Sequence, residues 1–182
     1  QLDAELDEWE AHLPAKWSPV MRISNDLQLT FYGKYHVYND MWAARILNHY
    51  RWGRLYVNEM ILLHVSKLES PALGDLTQSR RALHLISQLA EDICASAAHQ
   101  IGVFNCTSLS NEPRRTPLLN GAFMLLFPLA VAGSAAGVPA EVHDWVVGTL
   151  RRIGSTMGIR RALELIPRVQ EVCCAWNLNR WS

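Results

Sequence analysis

The longest unbroken pattern of apolar and polar positions lies over residues 40–68, DMWAARILNHYRWGRLYVNEMILLHVSKL. It holds no proline, and Gly53 is its one weak helix former. Asn39 or Asp40 can cap its start, because a short side-chain oxygen accepts from the free N–H groups of a first turn. On a helix its polar positions fall into two stripes. Arg45, Asn48, His49 and Glu59 cluster on one side, and Arg51, Arg54 and Asn58 on the opposite side. Ala43, Ile46, Tyr50, Leu55 and Ile61 put apolar mass between and beyond them. A helix with apolar surface on several faces packs between neighbours. This segment is therefore expected to be the central, buried helix of an all-α domain.

The flanking patterns supply the rest. Leu2, Leu6, Trp9 and Leu13 recur at helical spacing, and Pro14 stops that helix. The β-branched and aromatic residues around Gly33 predict a short hairpin near 27–38, or equally an ordered crossing loop. Residues 70–75 read as a loop, after which Thr77 or Ser79 caps a helix reaching Gln100. That helix carries a stripe of Ala82, Ile86, Leu89, Ile93 and Ala97. Its run of small residues over 94–98 predicts a close helix crossing. Gly102 ends it, and residues 105–117 read as an exposed loop. Residues 118–132 predict a very apolar helix, kinked or broken at Pro128, followed by a small-residue turn over 133–137. Pro139 opens a helix through Val142, Val146, Leu150 and Ile153, ended by Gly158. A last helix over 159–176 is expected to be interrupted at Pro167. The result is about six helices in a single domain, 1–182.

Composition narrows the partners. The 17 basic and 17 acidic residues balance to zero formal charge, which argues against this chain gripping a phosphate backbone. The four cysteines, Cys94, Cys106, Cys173 and Cys174, make no C-x-x-C pair and suit reduced thiols in an intracellular protein. The apolar run over 122–136 is short for a bilayer span and broken by Pro128 and Gly133. No signal peptide is read at the start, and the missing initial Met points to a piece of a longer protein.

Chemistry-bearing motifs are sparse. There is no Gly-rich phosphate loop, no G-x-S-x-G and no clustered metal ligands, so no catalytic residue, metal or cofactor is assigned to this chain. Asp3 and Asp7 share a helix face, but an acidic stripe near a chain end usually faces solvent. His36, His49, His64, His84, His99 and His143 form no ligand pattern and are each read as satisfied structural histidines. The sharpest polar set is Arg51, Arg54 and Glu59. It reads foremost as an interhelical ion-pair network and secondarily as a ligand-facing patch. Arg51 and Arg54 have no acid three or four residues away, so Asp92, beside the small-residue run, is the expected partner for one of them. Tyr50, Cys94 and Trp145 are the residues placed to line a pocket. Cys94, flanked by small residues, reads rather as packed than as a nucleophile.

Four blocks carry a resemblance: HVYNDMWAARILNHYRWGRLYVNEMIL (36–62), EDICASAAHQIG (91–102), NGAFMLLFPLAVAG (120–133) and VPAEVHDWVVGTLRRIGSTMGIRRALEL (138–165). The opening LDEWEAHLPAKW fits with them. In this order they resemble the C-terminal regulatory region of fungal zinc-cluster transcription factors, the binuclear-zinc, six-cysteine activators. Three positions depart from the family pattern: Phe127 stands in place of Trp, Ala97-Ala98 in place of Val-Pro, and His143 in place of a basic residue. These leave the specificity of any pocket open.

The resemblance implies an all-α regulatory domain of a nuclear protein, one that controls activation without contacting DNA or membrane. Its implied partners are a small-molecule effector, other domains of the parent protein or coactivators, and a second copy in a homodimer. Zinc is expected only in a DNA-binding module N-terminal to Gln1. The kinked helix at Pro128 and its glycine turn offer a two-state element for ligand sensing. The alternative from another class is a helical enzyme whose apolar pocket takes a small hydrophobic substrate. An acid cluster facing a cavity would favour that enzyme.

Overall fold

The computed structural model describes residues 1–28, 30–102 and 119–178, with side chains described as far as residue 172. Over these residues the chain runs α1 (Leu2–Ala11), β1 (Val20–Ile23), β2 (Lys34–Val37), α2 (Met41–Ser66), α3 (Leu73–Gln100), α4 (Leu119–Ser134), α5 (Ala140–Met157) and α6 (Arg160–Leu178). It is an all-α fold with one small two-stranded sheet. None of these helices is long and apolar enough to cross a membrane. The loop expected over 105–117 lies outside the described residues.

Helix α2 forms where its pattern placed it. Asp40 caps it, with Oδ1 accepting from the Ala43 N–H at 2.7 Å, while Asn39 donates instead to the Lys16 carbonyl. Helix α3 starts ahead of both expected caps. The Asp75 carboxylate accepts from the Ala72 N–H at 2.8 Å, and the Thr77 hydroxyl turns back to the Leu73 carbonyl inside the helix. Neither proline breaks its helix. Pro128 lies within α4 and Pro167 within α6. Each removes one backbone donor, but Pro128 is buried beside Leu125 and Leu129, and that packing holds the chain helical.

The hairpin differs more. Its second strand, β2, falls inside the expected segment, but its first is Val20–Ile23, paired antiparallel with Val20 opposite Val37. Just before the second strand the chain makes a tight turn, Phe31 and Lys34 exchanging backbone hydrogen bonds of 3.1 and 2.9 Å. Tyr32 and Gly33 take positive φ there, and Phe31 is delivered to the core.

One core joins the helices. Leu55 of α2, Ile86 and Ile93 of α3, Leu125 and Leu129 of α4, and Val146 and Leu150 of α5 are fully enclosed. Each such side chain contributes about 1.5–3 kcal/mol by leaving water. The small run of α3 lies where the close crossing is expected: residues 93–98 are all buried, and the short side chains of Asn48 on α2 and Ser96 on α3 meet at 2.8 Å. Another close approach lies slightly further along, where Gly121 of α4 meets Gln100. A Cβ at Gly121 would run into the Gln100 carbonyl, so only glycine permits that contact.

Candidate functional site

The polar stripe of Arg51, Arg54 and Asn58 faces inward, and it meets two different sets of partners. The inner set lies between α2, α3 and β2. Arg51 Nη1 donates to the Tyr38 hydroxyl at 2.7 Å and to Asn48 Oδ1 at 3.0 Å. Asn48 Nδ2 donates to Ser96 Oγ at 2.8 Å, and Gln100 Nε2 donates to the same oxygen at 3.1 Å. On the other side the Tyr38 hydroxyl lies 3.2 Å from His36 Nδ1, and His36 Nε2 lies 3.6 Å from Asp92 Oδ1.

Electrostatics fixes the protons in this set. Burial, with the Arg51 cation nearby, pushes the His36 pKa down to about 3, so its ring is neutral at pH 7. Accepting from Arg51 leaves the Tyr38 hydroxyl proton available to Nδ1, an arrangement that would set the ring proton on Nε2, facing Asp92. Burial also works against the Arg51 cation. The Tyr38 hydroxyl beside it and the Asp92 charge at longer range outweigh that penalty and hold it protonated. Burial raises the Asp92 carboxyl above the usual carboxylate range, against the pull of Arg51.

The outer set lies between α1 and α2. Arg54 Nε donates to Asp3 Oδ1 at 3.0 Å, Nη2 to Asp7 Oδ1 at 2.6 Å, and Nη1 lies 3.4 Å from Glu10 Oε2. Nη1 also reaches the Tyr50 hydroxyl, which in turn donates to Glu10 at 2.9 Å. Asn58 adds a bond to Asp3 at 2.9 Å. Asp3, Asp7 and Glu10 sit at i, i+4 and i+7, a spacing that puts three carboxylates on one face of α1. Burial alone would raise the Asp3 carboxyl, but the bonds from Arg54 and Asn58 outweigh it and hold Asp3 below its ordinary range. Burial lowers Arg54 less than its bonds to Asp3, Asp7 and Tyr50 raise it, so it stays charged.

Two expectations are corrected here. Neither Arg51 nor Arg54 forms the ion pair with Asp92, because Arg54 is turned toward α1 and Arg51 toward β2, while Asp92 faces His36. The acidic stripe of α1 is also more than a solvated surface, since it is the counter-charge of Arg54 even though Asp7 stays 56% exposed. Tyr38, Ser96 and Glu10 were not singled out from the sequence at all. The spacing of Asp3, Asp7 and Glu10 was the one signal that could have found the outer set.

Glu59 stands apart from both sets. Its Oε1 accepts from the Ala136 N–H at 2.8 Å and ties α2 to the turn after α4. Burial raises its carboxyl more than that bond lowers it. His143 Nδ1 lies 2.9 Å from the Gly133 carbonyl at the same turn. His99 departs from the satisfied histidine expected: among the described residues both its ring nitrogens are buried without a hydrogen-bond partner.

The three residues placed to line a pocket lie outside both of the clefts described below. Tyr50 belongs to the outer set, and Cys94 is sealed in the core, where burial pushes its thiol well up. Trp145 packs edge-on against Phe31 at 5.4 Å and donates from Nε1 to the Thr30 carbonyl, anchoring the hairpin. The described clefts lie elsewhere. One of about 580 Å³ opens between α1, α2 and α3, with Asp3, Asp7, Asn58, His64 and Arg81 in its walls. Another of about 540 Å³ is walled by Trp42, Arg45, Gln100, Gly121 and Met124. The acids of the first cleft are already engaged by Arg54, Asp3 at 3.0 Å and Asp7 at 2.6 Å. Among the described residues no group of three or more His, Cys, Asp or Glu is placed to hold a metal ion.

The chain matches no family model, no curated protein and no solved structure.

Proposed function

We propose that the chain is a regulatory domain of a fungal zinc-cluster transcription factor. In this reading it acts in the nucleus, governs activation through a small-molecule effector, other domains of its parent, coactivators or a second copy, and leaves DNA recognition to a zinc module elsewhere in the parent. One observation carries the reading: the four blocks that resemble the family pack on one another. Asn48 bonds to Ser96, which joins the first block to the second. Gly121 lies against Gln100, which joins the second to the third. His143 meets the Gly133 carbonyl, which joins the third to the fourth. Likeness confined to scattered surface positions would have little structural meaning. Here it falls on the contacts that build the core, which is what a shared domain architecture requires.

A tethered reporter assay tests the proposal. The chain is placed between a heterologous DNA-binding module and an activation segment in a fungal host. Reporter output several-fold different from that of the same fusion lacking the chain is the expected result. Unchanged output, together with sequence-selective and salt-resistant DNA binding by the isolated chain, would contradict it. Elemental analysis adds a check, since stoichiometric zinc in the purified chain would not fit a domain whose metal module lies elsewhere.

A further inference from the structure

Helix α1 has no buried residue. It is held to the body by the Arg54 bonds, by Asn58 and Tyr50, by Trp9 stacking at a tilt on Tyr50 at 5.0 Å, and by the half-buried Leu6 against the core. Two of its three clamped carboxylates are about half exposed: Asp7 at 56% and Glu10 at 46%. Ion pairs of such partners are individually weak. The receiving surface is the opposite case. Arg54 is only 2% exposed, and Asn58 likewise. Those exposures are with α1 in place; the binding groups are braced on α2 itself, Arg54 by the Tyr50 hydroxyl and Asn58 by the Arg54 carbonyl, while the element that occupies them has no fully buried residue.

We propose that this wall of α2 is a docking surface for an acidic amphipathic helix of a partner protein, with α1 as its resident stand-in. The complementarity is specific. A buried guanidinium fans its nitrogens to carboxylates at i, i+4 and i+7, Asn58 adds a donor at the first of them, and Tyr50 adds a hydroxyl at the last and a ring for an aromatic one position before it. An incoming helix with the same carboxylate spacing, and an apolar residue where Leu6 packs against the core, meets the same contacts. The inference rests on the clamp alone and stands whatever the parent protein regulates.

Fluorescence anisotropy of a labelled peptide with the sequence of residues 1–13 tests it, with the full chain as receptor. In the unaltered chain α1 competes at the high effective concentration of a tethered segment, so the peptide binds weakly. In the full chain carrying Asp3→Asn, Asp7→Asn and Glu10→Gln the resident helix competes poorly, and affinity should rise about tenfold or more as the vacant fraction grows. The single change Asp7→Asn should move affinity in the same direction by a smaller factor. A peptide carrying the same three neutral substitutions should not bind, and added salt should weaken the acidic peptide. Equal affinity for the unaltered and the triply altered chain would overturn the proposal. So would equal binding by the acidic and the neutral peptide. If the unaltered chain dimerises by exchanging α1, and that dimer accounts for all peptide uptake, the occupant is a second copy and the proposal of a distinct partner fails.

Discussion

Arg51 and Arg54 lie less than one turn apart on α2 and are equally hidden, at 4% and 2% exposure. Their surroundings differ in kind. Arg54 meets three carboxylates on a neighbouring helix whose outer side is wet. Arg51 forms no ion pair among the described residues. Neutral oxygens of Tyr38 and Asn48 hold it, and Asp92 acts on it only at longer range. A buried cation therefore has two solutions in this fold. One is direct neutralisation at the edge, where the pair remains separable. The other is solvation by a fixed polar network in the interior, where separation would strand several groups at once.

The largest expected effect is at Arg51. Arg51→Ala leaves a cavity in the core and strips the Tyr38 hydroxyl and Asn48 carbonyl of their donor, so denaturant unfolding should show a loss of about 3–5 kcal/mol. A loss under about 1 kcal/mol would mean that the inner network is dispensable, and the contrast would collapse.

His36 sharpens the same side of the comparison. Its folded pKa of about 3 lies below the ordinary value of 6.5. Between those values the unfolded chain binds a proton that the folded chain refuses, so stability falls as pH falls through that window. Burial depresses His99, and the bonds to Asp3 depress that carboxyl, in the same sense, while burial raises Asp92 and Glu59 in the opposite one. Comparison with His36→Gln isolates the one ring. From pH 7.5 to pH 5 the unaltered chain should lose about 2 kcal/mol more than the variant. Parallel pH profiles would show that His36 is not held neutral.

Arg54→Ala should cost less, about 1–2 kcal/mol, because its partners can rehydrate once released. Limited proteolysis should then cut within α1 while the rest of the chain resists. Resistance of α1 in that variant would show that apolar contacts, not the clamp, hold it.

The sequence and the fold agree where local chemistry decides. The Asp40 cap, the long unbroken pattern of α2 and the Gly158 stop, with φ +71, were all readable from neighbouring residues. The need of Arg51 and Arg54 for partners outside their own helix was readable too. Which partners they take was not, because that depends on the path by which α1 and β2 return to α2. Asp3 precedes Arg54 by 51 positions, and Tyr38 precedes Arg51 by 13. The first strand escaped notice because all four of its residues are exposed, so it carries no buried, alternating face to detect. Trp145 resembled a pocket residue for a similar reason. Its partner, the Thr30 carbonyl, lies 115 positions away and leaves no trace in spacing.

Hydrogen exchange at low and at about 1 M salt compares the two arginine environments within one molecule, since that salt shortens electrostatic reach to about 3 Å. Amides of residues 2–11 should exchange markedly faster in high salt, while those of α2 and α3 around Arg51, Asn48 and Ser96 should keep their protection. Salt that loosens both regions alike, or neither, would contradict the division between a separable edge clamp and a fixed interior network.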